Sequence, residues 1–219
     1  MRLRLDLHVH TSNSYDCRLR IKDIIRFCKS IGIDGFAITD HDKLISRIEV
    51  KSEEITILPG MEVTAKGAHI LAFNVYETIP PNLSVKETVE LIHLQGGFAA
   101  LAHPFSMFRS SLKESEFSKA RFDAVEIANA SHFLYDWNFK RGSSLADRFK
   151  LPRIGGSDAH FLEAVGRAFT IVETDSVEAE DILKAIKKGN TLVHGRGITI
   201  LEKIFSKLKF ELDSLHNSI

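Results

Sequence analysis

The chain is short of several things at once. Only two of its 219 residues are cysteine, Cys17 and Cys28, and neither sits in a Cys-x-x-Cys pair. That removes the signature of a disulfide framework and of a cysteine-held structural zinc, and it fits a chain kept in the reducing cytoplasm. Charge of one sign is also lacking, since Lys+Arg and Asp+Glu stand at 29 each. Without a basic excess there is no electrostatic grip on a long duplex, whose binding rests on phosphate neutralisation. No apolar run reaches the length of a membrane span. Residues 1–10 carry charges where a secretory leader needs an apolar stretch. The expectation is a cytoplasmic protein with no membrane partner. Neither G-x-G-x-x-G nor G-x-x-x-x-G-K-[ST] occurs, so the nucleotide fingerprints that cradle phosphates in a glycine loop are missing. A single glutamine, Gln95, leans the composition toward that of thermophile proteins, which are poor in thermolabile residues. Repeats and low-complexity linkers are absent. At 44% hydrophobic residues the chain fits one domain, 1–219, with 198–219 as a C-terminal helical extension.

What is present is an alternation of strand-like and helix-like segments. Period-2 or short apolar runs predict strands over 2–10, 34–39, 55–63, 68–75, 98–101, 122–127, 152–155, 168–172 and 191–194. Helical spacing predicts helices over 20–31, 84–95, 137–149, 177–187 and 200–217. Gly32 fits a helix stop, and Ser84 with Glu87 three residues on reads as a capping box. Strands alternating with helices imply an α/β fold with a mainly parallel sheet, open or closed into a barrel.

Residues of metal-binding type fall repeatedly at the ends of these strands. His8 and His10 end the first and, two apart on a strand, share one face. Asp40-His41 follows the second, Glu62 the third, His103-Pro104 the run Phe98–Ala102, His132 the run Val125–Asn129, and Asp158-Ala159-His160 the run Ile154–Gly156. A lone aspartate after a strand commonly caps the next helix. Six of the ten histidines in such positions are a different matter, because a barrel gathers its strand ends into one site. Charge beside apolar strands is costly to bury unpaired, and metal ions resolve that cost. Imidazole and carboxylate ligands suit Mn²⁺, Fe²⁺ or Zn²⁺ alike.

Taken together, Asp6-Leu7-His8-Val9-His10-Thr11-Ser12, Ile38-Thr39-Asp40-His41-Asp42, Gly60-Met61-Glu62-Val63, Leu101-Ala102-His103-Pro104, Glu126-Ile127-Ala128-Asn129 and Gly156-Ser157-Asp158-Ala159-His160 resemble, in order, the motifs of the PHP family (polymerase and histidinol phosphatase domains). The resemblance implies a distorted TIM-like (β/α)7 barrel and a trinuclear centre of two to three divalent ions (Mn²⁺, Zn²⁺ or Fe²⁺) that hydrolyses phosphoesters. It implies one sub-site from His8, His10, Glu62 and Asp158, a second from Glu62, His103 and His132, and a third from Asp16, His41 and His160, with Glu62 as the bridge. A set of cations about 3.5–4 Å apart neutralises the ester and generates a bridging hydroxide that attacks phosphorus.

Around these ligands, Arg18, Lys43 and Arg196 are candidate phosphate partners by their position near ligand motifs. His69 is a candidate catalytic residue, either meeting the phosphate or leaving group or orienting Glu62. Asp40 is expected to fix a neighbouring histidine's tautomer. Cys17, His93, His194 and His216 read as ordinary. Phe105 and Phe108 offer either an aromatic wall for a base or plain packing. The resulting expectation is a metal-dependent phosphoric ester hydrolase acting on a small phosphorylated substrate, a nucleotide or the end of a short oligonucleotide. Its rivals are a barrel amidohydrolase, histidinol-phosphate phosphatase and a non-catalytic metal scaffold. The amidohydrolase commonly bridges its metals with a modified lysine, where this chain has Glu62.

Overall fold

The structure is a computed structural model that describes residues 1–45, 55–106, 114–205 and 208. Its strands are β1 (Arg2–Val9), β2 (Gly35–Ile38), β3 (Thr56–Ala65), β4 (Ala68–Phe73), β5 (Phe98–Ala102), β6 (Ala124–Asn129), β7 (Arg153–Gly156), β8 (Ala168–Glu173) and β9 (Thr191–Gly195). They form one sheet in the order β7-β6-β5-β4-β3-β2-β1-β8-β9. The sheet curls until the chain just past β7 meets the end of β1. There the Asp158 amide donates to the His8 carbonyl at 2.8 Å and the His10 amide to the Ala159 carbonyl at 3.1 Å. The result is a nearly closed, distorted TIM-like barrel of seven strands. The pair β8 and β9 continues along the first half of β1.

The sheet is mixed rather than mainly parallel. The pairs β1–β8, β3–β4, β4–β5 and β8–β9 are antiparallel. The reason at β3–β4 is local: only Lys66-Gly67 joins them, with Gly67 at φ 84°. A parallel crossover needs a dozen or more residues. Because β4 is reversed, it starts at the end of the barrel where β1, β2, β3, β5, β6 and β7 finish. His69 near its start therefore joins residues that follow the other strands.

The helices are α1 (Ile21–Ile31), α2 (Val85–Leu94), α3 (Glu114–Ala120), α4 (Tyr135–Phe149) and α5 (Ala179–Lys187). The Ser84–Glu87 capping box forms at α2, and Gly32, at φ 73°, ends α1. Helices α2, α3 and α4 cover one side of the barrel through Val89, Ile92, Phe117 and Ala146, and α1 another through Ile24 and Cys28. Leu3, Leu5, Leu7, Leu58, Leu71 and Phe73 fill the interior, joined by Ile182 and Ile186 of α5. Lys187 of α5 pairs with Asp123, just before β6, so α5 closes the end opposite the histidines. Residues 200–205 and 208 are helical, and Thr199 and Glu202 cap that turn reciprocally. The remainder of the expected 200–217 helix, with His216, lies outside the described residues, as does Phe108.

Two β-bulges set up the site. On β1 the partner register jumps from Asp6↔Phe36 to Val9↔Ile38, one residue more on β1 than on β2. Before the jump Leu3, Leu5 and Leu7 face the interior; after it Val9 packs outward with Ile24 and Phe36. His8 and His10 are thereby turned inward, although in an unbroken strand they would oppose the leucines. On β6 the register shifts between Glu126↔Ile154 and Ala128↔Gly155, which re-aims Asn129 in the same way.

Candidate metal centre

The strand ends bring His8, His10, Asp16, His41, Glu62, His103, Asp158 and His160 into one buried cluster, and His69 joins it from β4. Four overlapping ligand sets have donor atoms within 4.8 Å of one another: His10-Asp16-His41-His160, His8-His10-Glu62, His8-His103-Asp158 and His41-Glu62-His69. Glu62 is fully buried, and its two oxygens face different partners. Oε2 lies 3.4 Å from Nε2 of both His8 and His10 and 3.0 Å from His41 Nδ1. Oε1 lies 2.9 Å from His103 Nε2 and 2.7 Å from His69 Nδ1. Asp158 Oδ1 is 3.1 Å from His10 Nε2 and 3.6 Å from His8 Nε2. Asp16 Oδ2 sits 3.2 Å from His160 Nε2 and 3.5 Å from His41 Nε2. His132 stands at the edge, its ring 5.8 Å from that of His103 and outside all four sets.

Burial opposes protonation of His8, but Glu126, Glu62 and Asp158 outweigh it and hold the ring well above the usual imidazole range. His41 is likewise raised, to about 10, as Asp16 and Glu62 overcome burial. The same carboxylates that favour a proton there would favour a cation. Burial and the neighbouring His160 push His10 down to about 3, and burial with His103 pushes His132 to about 4. Both keep a lone pair at neutral pH. Glu62 and Asp158 lie well below the carboxylate range: burial alone would raise them, and the surrounding histidines reverse it.

The fit to divalent metal ions is visible in the polar bookkeeping. Asp16 Oδ1, His41 Nε2, Glu62 Oε2, His103 Nδ1, His132 Nε2, Asp158 Oδ1 and His160 Nε2 are all buried without a hydrogen-bond partner. Native proteins seldom leave such groups unmatched, because each costs about 1–3 kcal/mol. Seven in one place are accounted for by ions of the kind that imidazole and carboxylate ligate together. Backbone strain collects here too, with His103 at φ 28° and Asp158 at φ 53°.

The buttressing residues were less evident in the sequence. Glu126, buried on β6, accepts from His8 Nδ1 at 2.9 Å and, through its other oxygen, from the His103 amide at 2.9 Å and Asn129 Nδ2 at 3.1 Å. It fixes the His8 tautomer so that Nε2 points at the cluster. The sequence offers it as part of the Glu126-Ile127-Ala128-Asn129 motif and as a glutamate inside an otherwise apolar strand, neither of which says what it holds. Asp40 works through an intermediary rather than on a histidine directly. It accepts from the Thr11 amide and hydroxyl at 2.6 and 2.7 Å and from Ser14 Oγ at 3.0 Å. Ser14 Oγ in turn accepts from His10 Nδ1 at 3.0 Å. Asp6 accepts from the Ser157 amide and hydroxyl and the Gly166 amide, tying β1 to the chain after β7. Burial pushes it up to about 6 against those hydrogen bonds. Cys17 donates weakly to the His10 carbonyl, and burial raises its thiol to about 12, an inert state.

A cavity of about 650 Å³ opens beside the cluster. Asp16, His103, His132, Asp158 and His160 line it together with Phe105, Phe133, Trp137 and Phe161, and Lys203 joins the lining from the helical turn at 200–205. Lys203 Nζ donates to the Ser131 carbonyl. Of the three expected phosphate partners, Arg18 and Lys43 lie exposed on the loops that carry Asp16 and His41, outside the cavity lining. The structure does not bring Arg196 to the cluster: it lines two surface depressions that contain none of the ligating residues.

Comparisons place this architecture. A family model described as PHP-associated matches residues 137–191. Two uncharacterized proteins of Methanocaldococcus jannaschii are similar to the chain. One is 30% identical over 189 residues, covering 83% of this chain and 75% of that protein. The other is 32% identical over 144 residues, covering 59% and 84% respectively. A probable histidinol-phosphatase of Thermotoga maritima is 25% identical over 228 residues, covering 85% of this chain and 92% of its own length. In fold, the chain is similar to a two-domain protein of Bacteroides vulgatus containing a predicted PHP-like metal-dependent phosphoesterase (TM-score 0.74, 18% identity, 90% of this chain and 65% of that one). It is also similar to a lesion-specific endonuclease of Pyrococcus furiosus (TM-score 0.65, 20% identity, 88% and 58%). The chain thus spans under two thirds of either solved protein. No helix among the described residues is long and apolar enough to cross a membrane. Relatives along most of the chain, on a barrel whose strand ends converge on a buried histidine–carboxylate cluster, make this a member of the PHP domain family.

Proposed function

We propose that the chain hydrolyses a small phosphate ester, a nucleotide or the end of a short oligonucleotide, at a centre of two to three divalent ions. The observation that carries this reading is the set of seven buried atoms of metal-binding type without hydrogen-bond partners, on residues of which five, Asp16, His103, His132, Asp158 and His160, line a cavity large enough for a nucleotide. His8, His10, Glu62 and Asp158 would hold one ion, Glu62, His103 and His132 a second, and Asp16, His41 and His160 a third. Glu62 serves two sub-sites because its two oxygens face different imidazoles. When bound, such ions neutralise the ester's charge and lower the pKa of a water toward about 7.

The chain's own residues do the rest. Glu126 and the Ser14–Asp40 relay hold His8 and His10 with Nε2 inward. Burial keeps His10 and His132 neutral and available as ligands. His69 commits Nδ1 to Glu62, so its Nε2 is the nitrogen left to pass a proton to the departing oxygen. Lys203 contributes the positive charge of the cavity wall to the phosphate. The test is metal content by elemental analysis after reloading with Mn²⁺, followed on the same sample by phosphate release from aryl mono- and diesters. Two to three ions per chain with release are expected; none or one, with no turnover, would refute the reading. Histidinol phosphate belongs in the panel because of the histidinol-phosphatase relative.

A further inference from the structure

The apolar part of the cavity lining is unusual in its composition and its exposure. Phe133, Leu134 and Trp137, within five residues at the start of α4, are 64%, 49% and 46% exposed. With Phe105 and Phe161 they line the same cavity as Asp16, His103, His132, Asp158 and His160. Single apolar residues on a surface need no explanation, but several exposed aromatic residues lining one cavity beside buried imidazoles and carboxylates mark a binding surface. The patch is also held in place. The Arg141 guanidinium lies 4.2 Å from the centre of the Phe105 ring and 4.5 Å from that of Trp137, and the two rings meet edge to face at 6.4 Å. One cation thus ties a ring from the β5 end to a ring on α4, so the face is ordered before a ligand arrives. Among the described residues, Lys203 is the one lysine or arginine in the lining. The cavity accordingly asks for a ligand with an anion at one end and a flat, weakly polar body at the other.

We infer that the Phe105–Phe133–Trp137–Phe161 face is a stacking platform for one unpaired nucleobase of the substrate, with its phosphate directed at the histidine cluster. This rests on the phosphoesterase reading above and deepens it by naming what the rest of the substrate looks like. Stacking needs an exposed π-face, so a nucleotide or a single-stranded end is taken and a base-paired end is not. Sequence preference is weak, because each base presents such a face.

Trp137 is the only tryptophan in the chain, so its fluorescence reports the platform directly. The test uses the full-length, metal-loaded protein, titrated with the hydrolysis-resistant phosphonate analogue of AMP, with methylphosphonate, which lacks the base, and with adenosine. The AMP phosphonate is expected to quench Trp137 and to bind more tightly than methylphosphonate by roughly 5- to 150-fold, the worth of one stacked base. By calorimetry, Trp137→Ala loses most of that advantage and Trp137→Phe recovers it. Phe133→Ala keeps the fluorophore and shows a weaker loss. Equal binding of the two phosphonates, or AMP phosphonate binding with no change in fluorescence, overturns the platform even if the protein hydrolyses phosphate esters. If adenosine quenches Trp137 while neither phosphonate gains from its charge, the platform stands and the phosphoesterase reading falls.

Discussion

Replacing Glu126 by glutamine should weaken metal binding although Glu126 is placed to touch no ion. Its Oε1 accepts from His8 Nδ1 at 2.9 Å, and its Oε2 accepts from the His103 amide at 2.9 Å and Asn129 Nδ2 at 3.1 Å. Every partner is a donor, and His8 and Glu126 are buried at 0% and 2% exposure. Glutamine has one acceptor and one donor end. With its oxygen kept on His8, its NH₂ group confronts the His103 amide and Asn129, and two donors face each other out of reach of solvent. With the amide flipped, NH₂ faces His8, whose ring must then carry its proton on Nε2, the nitrogen aimed at Glu62 and Asp158. Either way a buried, charge-assisted hydrogen bond is lost, about 1.5–3 kcal/mol. That corresponds to roughly 10- to 150-fold in an equilibrium constant, in line with the about 10- to 100-fold loss typical when a ligand's supporting carboxylate is removed. Competition against a chromogenic chelator at neutral pH measures the affinity, and a thermal melt in excess chelator separates it from lost stability. Wild-type affinity in a folded Glu126→Gln protein would refute the tautomer argument.

Other consequences follow from the same geometry. Glu62→Ala should lose more than one ion per chain by elemental analysis, since its two oxygens serve different imidazoles; retention of the full complement would remove it as the bridge. In Gly156→Ala the new Cβ would lie 2.4 Å from both the amide nitrogen and the Cβ of His8, where β7 meets β1. Backbone cannot yield cheaply there, so about 1–3 kcal/mol of stability should be lost; an unchanged melting temperature would contradict the closure. Asp123→Asn, far from the metal cluster, should cost about 1–3 kcal/mol while leaving metal content intact. Burial raises the Asp123 carboxyl, but the Ala99 amide, Lys187 and His93 outweigh this and leave it below the ordinary range. Its contribution is therefore present above the unfolded value near about 3.9 and is lost as pH falls through the lower folded value. Denaturant melts of the two proteins should converge under acid and stay apart at neutral pH, and a gap independent of pH would count against the ionised carboxylate.

The cluster is legible because it is written locally: β1, β2, β5 and β7 carry a residue of metal-binding type at or just beyond their ends, and a barrel needs only to gather those ends. Lys66-Gly67 is equally local: a two-residue joint forces β4 to reverse, which the alternation of strand-like and helix-like segments does not convey. Other features could not be read from one segment. α3 has Phe117 as its only large apolar residue, too little for a period, and that ring packs on Phe122 just past the helix and on the distant Phe149. Lys203 joins the cavity lining through the turn at 200–205, a placement set by tertiary packing, whereas Arg196, inside Gly195-Arg196-Gly197, lines depressions elsewhere. The first strand holds the most instructive case. Leu3, Leu5 and Leu7 have one parity, His8 and His10 the other, and all five must face inward if the leucines fill the barrel and the histidines bind metal. A regular strand cannot satisfy both demands. The conflict already implies an extra residue between Asp6 and Val9, where the register of β1 against β2 breaks. A clash between core parity and ligand parity within one strand is thus itself a readable signal of a bulge at a functional site.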